Sequence, residues 1–151
     1  MNQIQYNQDM LASQLKEYRS ILNEKTIYIH NSFSEYFKNS PFIQIIASLT
    51  LCDDKVEILF QDLKLTLSLT SRIIIDDKYQ PQVLFTVKCP ELESDTILLM
   101  RMTWQGKVQL SDDEHRFPDQ NIEFDYDTSS LPASIISRFL HILKENKVIS
   151  I

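Results

Sequence analysis

Carboxylates, histidines and cysteines are the residues that chemistry could recruit in this chain, and their spacing decides which chemistry is open. Glu123-x-Asp125-x-Asp127 sets three carboxylates on alternate positions, as at the start of a calcium-binding loop. Such a loop turns at a glycine in the next position and closes on a glutamate. Thr128 stands where the glycine belongs and no glutamate closes the loop, so the three acids read as the wet face of a strand. His30, His115 and His141 lie far apart, and the chain holds neither a CxxC nor an HExxH. No metal or other cofactor is expected, and each histidine reads as a surface or hydrogen-bonded side chain. Cys52 and Cys89 read as free core thiols of a reducing compartment, because a chain of 151 residues needs no disulfide staple.

Catalytic arrangements fare no better. Pro118-Asp119 followed by Glu145-x-Lys147 has the residue types of a PD-(D/E)xK nuclease. That chemistry needs the second acid and the lysine on a strand beside the first, whereas residues 145–147 fall at the end of an expected helix. Ser–His–Asp and Cys–His groups have no local signature here. A non-catalytic role is expected. What remains is an acidic face made of Asp112, Asp113, Glu114, Asp119, Glu123, Asp125 and Asp127, with Trp104 and Tyr126 near it. As a docking surface it would steer a basic partner protein by charge and anchor it on an aromatic. The plainer reading is a solvated surface, where charge runs usually sit.

Composition supports the same direction. The net charge is −6, and it is local: ten acids between Glu91 and Asp127 face only Arg101, Lys107 and Arg116. That window carries −7, and the other eleven acids and twelve bases leave +1. Phosphates would meet a like-signed field, so direct nucleic-acid binding is disfavoured. Gly106 is the only glycine. Phosphate-cradling loops, nucleophile elbows and dinucleotide turns need glycine for positive φ or close backbone approach, so enzymes of those kinds are close to excluded. The first residues lack a basic region followed by an apolar run, and no apolar segment approaches about 18 residues. A cytoplasmic protein without a membrane segment is expected.

The elements that must position these residues are organised around Leu63-Lys64-Leu65-Thr66-Leu67-Ser68-Leu69, where four leucines alternate with polar residues. Period two puts all four on one face of a strand, and a helix would scatter them. One buried and one wet face imply an antiparallel sheet covered on one side. Before it, Leu11, Leu15, Tyr18 and Leu22 predict a helix from Asn7 or Asp9 to about Glu24. Thr26 to His30, β-branched and aromatic, reads as a short strand. Ser32-Phe33-Ser34-Glu35 has capping-box spacing and predicts a short helix ended by Pro41.

From Phe42 the chain reads as a β meander: Phe42–Leu51, Val56–Phe60, the leucine strand with a bulge near Arg72, and Gln82–Lys88. A hairpin of Thr96–Trp104 and Lys107–Leu110 should turn at Gln105-Gly106. Ser111 to Gln120 reads as an exposed loop, and Asn121 to Asp127 as a further alternating strand. Pro132 suits the first turn of a final helix with the stripe Ile135, Ile136, Phe139, Leu140 and Leu143, and residues 148–151 as an edge strand.

The expected fold is a single α+β domain spanning residues 1–151, an antiparallel meander of five to seven strands with the terminal helices on one face. A strand, a short helix, a long meander and a closing helix resemble helix-grip folds of the Bet v 1 or START type, in order and length rather than in any residue motif. That resemblance implies a small apolar ligand held between sheet and helix. The charge favours a different function, a small acidic protein that docks on the basic site of a partner, as immunity proteins, nuclease inhibitors and secretion chaperones do.

Overall fold

The computed structural model describes residues 2–76, 78–92, 96–111 and 123–145, the side chains of residues 96, 97, 111 and 123 apart. It opens on one long helix, α1 (Gln3–Asn39), where two helices and an intervening strand were expected. The Asn2 side chain starts α1 by accepting from the Gln5 N–H at 2.8 Å. The predicted strand Thr26–His30 lies in its middle. Ile27 and Tyr28 are exposed while Ile29 and His30 are buried, a pairing that only helical periodicity produces. Burying Leu22, Ile29, Phe33 and Phe37 on the sheet outweighs the β propensity of this stretch. Thr26 fits because its hydroxyl donates back to the Leu22 carbonyl at 2.8 Å. Ser32, expected to cap a new helix, donates instead to the Ile29 carbonyl at 2.6 Å inside the old one.

Pro41 does end α1, as the steric rule for the residue before proline requires. It also begins α2 (Pro41–Ile46), so the first half of the expected Phe42–Leu51 strand is helical. The Gln44 side chain donates to the Phe37 carbonyl and ties α2 back to the end of α1.

Seven strands come next among the described residues: β1 (Ala47–Cys52), β2 (Lys55–Phe60), β3 (Leu65–Ile75), β4 (Pro81–Lys88), β5 (Thr96–Thr103), β6 (Lys107–Ser111) and β7 (Glu123–Asp125). They form one curled antiparallel sheet in chain order, closed by α3 (Leu131–Glu145) in an α+β arrangement. Leu65, Leu67 and Leu69 face inward, opposite Phe60, Ile58 and Val56 of β2. Leu63 departs from the expected face. It sits 41% exposed in a turn ending at Lys64, whose φ of 54° breaks the extended backbone. The bulge expected near Arg72 is absent: β3 pairs with β4 without a break from Ser68 to Ile75. Parity simply continues, with the small Ser71 opposite Phe85 and Ile73 opposite Val83. The register shift lies instead between Val87 and Lys88, where β4 meets β5.

The β5–β6 turn is as predicted, with Gly106 at φ 87° and its N–H donating to the Thr103 carbonyl at 2.9 Å. A side chain there would also strike the Tyr126 ring, since an added Cβ would stand 2.5 Å from Tyr126 Cδ1.

Both α1 and α3 cover the inner face. Leu131, Ile135, Ile136, Phe139 and Leu143 of α3 are buried there, and Leu140 is half-buried. No helix among the described residues is long and apolar enough to cross a membrane. The expected edge strand at residues 148–151 lies outside the described residues, as does the expected loop Ser111–Gln120 apart from Ser111, which ends β6.

His30 is the polar exception in this core among the described residues. It is buried, and its Nε2 has no hydrogen-bond partner among the described residues. Burial holds its imidazole below the usual histidine value, an effect the Asp54 carboxylate partly offsets. Between that depressed value and about 6.5 the unfolded chain binds more protons than the native one, so stability rises with pH across the window. It is lost as the pH falls through it. Melting temperatures measured from neutral to mildly acid pH should therefore decline in the parent and decline less in His30→Phe. Equal slopes in the two chains would remove His30 as the cause.

Candidate functional site

Only part of the predicted acidic face lies among the described residues. Asp112, Asp113, Glu114 and Asp119 lie outside them, as does the side chain of Glu123. Asp125 stands directly across the β6–β7 pair from Lys107, which reaches its Oδ1 at 2.6 Å. Both side chains are exposed, so the pair adds little stability, but it cancels the local charge. The strand expected to run from Asn121 to Asp127 ends at Asp125. Asp127 therefore leaves the alternation and sits in the turn that leads to α3. Trp104, the expected anchor, is half-buried and stacks on Tyr18 of α1, centroids 4.9 Å apart and planes 30° apart. That stack fastens the β5–β6 hairpin to the helix.

Asp127 instead faces α1 across a groove. Tyr28, Asn31, Ser32, Glu35, Tyr36 and Asn39 line one wall, and Asp127, Thr128 and Ser129 line the other. The helical wall follows from spacing alone, because positions 28, 31, 32, 35, 36 and 39 share one face of an α-helix. Reading residues 26–30 as a strand hid this stripe, although its spacing was present in the sequence. The opposite wall is held by β7 and the turn between it and α3. The Tyr126 N–H donates to the Gly106 carbonyl at 2.8 Å, and that of Thr128 to the Asp125 carbonyl at 3.0 Å. The Tyr126 ring meets Tyr28 edge-on at 5.2 Å, and the Lys25 ammonium lies 5.0 Å from the Tyr126 centroid. The lone glycine thus makes room for the ring that packs against Tyr28.

The groove measures about 340 Å³ and is open to solvent. Its lining has two carboxylates, Glu35 and Asp127, and two tyrosines, with amides and hydroxyls between them and no lysine or arginine. No histidine or cysteine lines it, and the Ser32 hydroxyl is already committed to a backbone carbonyl. The lining offers what a guanidinium or ammonium needs, negative charge and aromatic side chains.

Elsewhere, the thiols are free: Cys52 is exposed, contrary to the expected core position, and Cys89 is buried. Burial and the neighbouring Glu91 push the Cys89 thiol up to about 11, so it is not a nucleophile near neutral pH. Among the described residues no three His, Cys, Asp or Glu side chains converge as metal ligands. The inner face of the sheet is buried at Ile58, Leu67, Phe85, Met100 and Met102. The long α1 replaces the strand and short helix on which the helix-grip resemblance rested. Comparison with protein-family models, curated proteins and solved structures finds no match to this chain.

Proposed function

We propose that this protein is a non-catalytic protein-binding module, acting in the cytoplasm, that docks on a basic surface of a partner protein in the manner of an immunity protein, inhibitor or chaperone. The reading rests on one observation, a groove that holds Glu35 and Asp127 beside Tyr28 and Tyr36 with no basic residue in its lining. A lysine or arginine side chain of the partner enters between the two carboxylates and lies against a tyrosine face. The net charge of −6 adds long-range attraction and a faster encounter.

The test is a titration of the partner captured from the native host against the parent chain and Glu35→Lys/Asp127→Lys. Both substituted positions are exposed, so the fold should be unaffected. Affinity at low salt should fall at least about tenfold, as for loss of a charge-assisted contact, and the gap should narrow toward molar salt. Equal affinity of the two chains at low salt removes the groove as the binding site.

A further inference from the structure

A second surface, remote in chemistry from the groove, lies at the first edge of the sheet. β1 pairs with β2 on one side and with no described strand on the other. Natural edge strands are commonly protected by lysine, proline, a bulge or an inward charge. Ala47-Ser48-Leu49-Thr50-Leu51-Cys52 has none of these, and it pairs with β2 without a register shift. Beside it, α2 leaves Phe42 85%, Ile45 73% and Ile46 41% exposed, and Leu51 of β1 is 39% exposed.

Charge says what covers this edge. Residues 39–52 form the longest run without an acidic or basic side chain in the sequence, 14 residues in a chain of net charge −6. In a twofold contact each surface meets its own copy, so a charged face repels itself and an uncharged one does not. A basic partner gains nothing electrostatic here. We infer that β1 pairs with β1 of a second copy of this chain, joining two seven-stranded sheets edge to edge.

Parity fixes a register for that pairing. A twofold axis normal to the sheet keeps the two inner faces on one side, so opposed residues share parity. Centred on Leu49, the pairing sets Leu49 against Leu49, Ala47 against Leu51 and Ser48 against Thr50. Apolar residues then meet on the inner face and hydroxyls on the outer. Leu51 also comes beside the exposed Ile46 of the second copy. At roughly 200 Å² per large side chain, the exposed parts of Phe42, Ile45, Ile46 and Leu51 supply about 480 Å² per copy before the strand edge is counted. That places the contact at the small end of specific interfaces, and a concentration-dependent dimer follows.

Sedimentation velocity from about 1 to about 200 µM tests it, a span that brackets a micromolar dissociation constant. The parent should move from 17.8 kDa toward twice that mass as concentration rises. Ser48→Lys/Thr50→Lys places lysines opposite one another across the axis, at positions exposed in the monomer. Its dissociation constant should rise at least about tenfold, with an unchanged melting curve. Ser48→Glu/Thr50→Lys puts unlike charges across the same axis and should restore the dimer. Should the double lysine chain fail to fold, Phe42→Asp, at the most exposed of these positions, should weaken the dimer instead. A parent that stays monomeric throughout, a dimer indifferent to the lysines, or failure of the Glu/Lys chain to recover it overturns the pairing. None of these results touches Glu35 or Asp127, so the groove stands or falls separately.

Discussion

A Leu67→Asp chain is expected to show no cooperative unfolding transition at room temperature, whereas Leu63→Asp, four residues earlier in the same leucine series, should melt with the parent. Leu67 is 2% exposed, faces the helices and stands opposite Ile58 of β2. An aspartate there loses the leucine's burial and places a carboxyl among apolar neighbours with no donor to meet it. The lost packing alone costs about 3–5 kcal/mol, and an unpaired buried polar group adds roughly 1–3 more. A domain of ordinary stability, about 5–15 kcal/mol, has little left after that. Leu63 lies in the turn before β3 and is 41% exposed, so an aspartate there can keep its carboxylate in water. Circular dichroism melts of both chains decide the matter. A Leu67→Asp melt within a degree or two of the parent would show that this face is not core.

Phe139→Ala should cost about 3–5 kcal/mol in a urea titration, as ring deletion in a packed core does. Phe139 is 1% exposed, and its ring centroid lies 5.4 Å from that of Phe60 on β2. The contact joins the last helix to the second strand, so the loss falls on the whole fold and not on a frayed end. Pairing the substitution with Phe60→Ala in a double-mutant cycle should leave a coupling of about 0.5–1.5 kcal/mol between the rings. Loss of less than about 1 kcal/mol from Phe139→Ala would place α3 outside the core.

Several elements were legible before the fold because their signals are local and agree with each other. Leu65, Leu67 and Leu69 alternate and lie between two other alternating strands. Gly106 is the one residue suited without penalty to φ 87°, and the hairpin turns there. Pro132 and the stripe from Ile135 to Leu143 predict the helix that is found. The meander order came with them, since consecutive strands joined by short turns pair with their neighbours.

Thr26 to His30 marks the limit of that reasoning. Strand propensity there amounts to tenths of a kcal/mol per residue, while burying Ile29 and its helical neighbours against the sheet is worth several. Only the assembled sheet supplies that second quantity. The sites obey the same division. The sequence by itself determined which residues carry charge and how β3, the β5–β6 turn and α3 are patterned. The tertiary structure alone decided that Asp125 is matched by Lys107, that Trp104 is occupied by Tyr18, and that Glu35 and Asp127 share a groove. The reason is that each of these relations joins residues far apart along the chain. Their meeting depends on strand register and on how one long helix crosses the sheet, which no local spacing encodes.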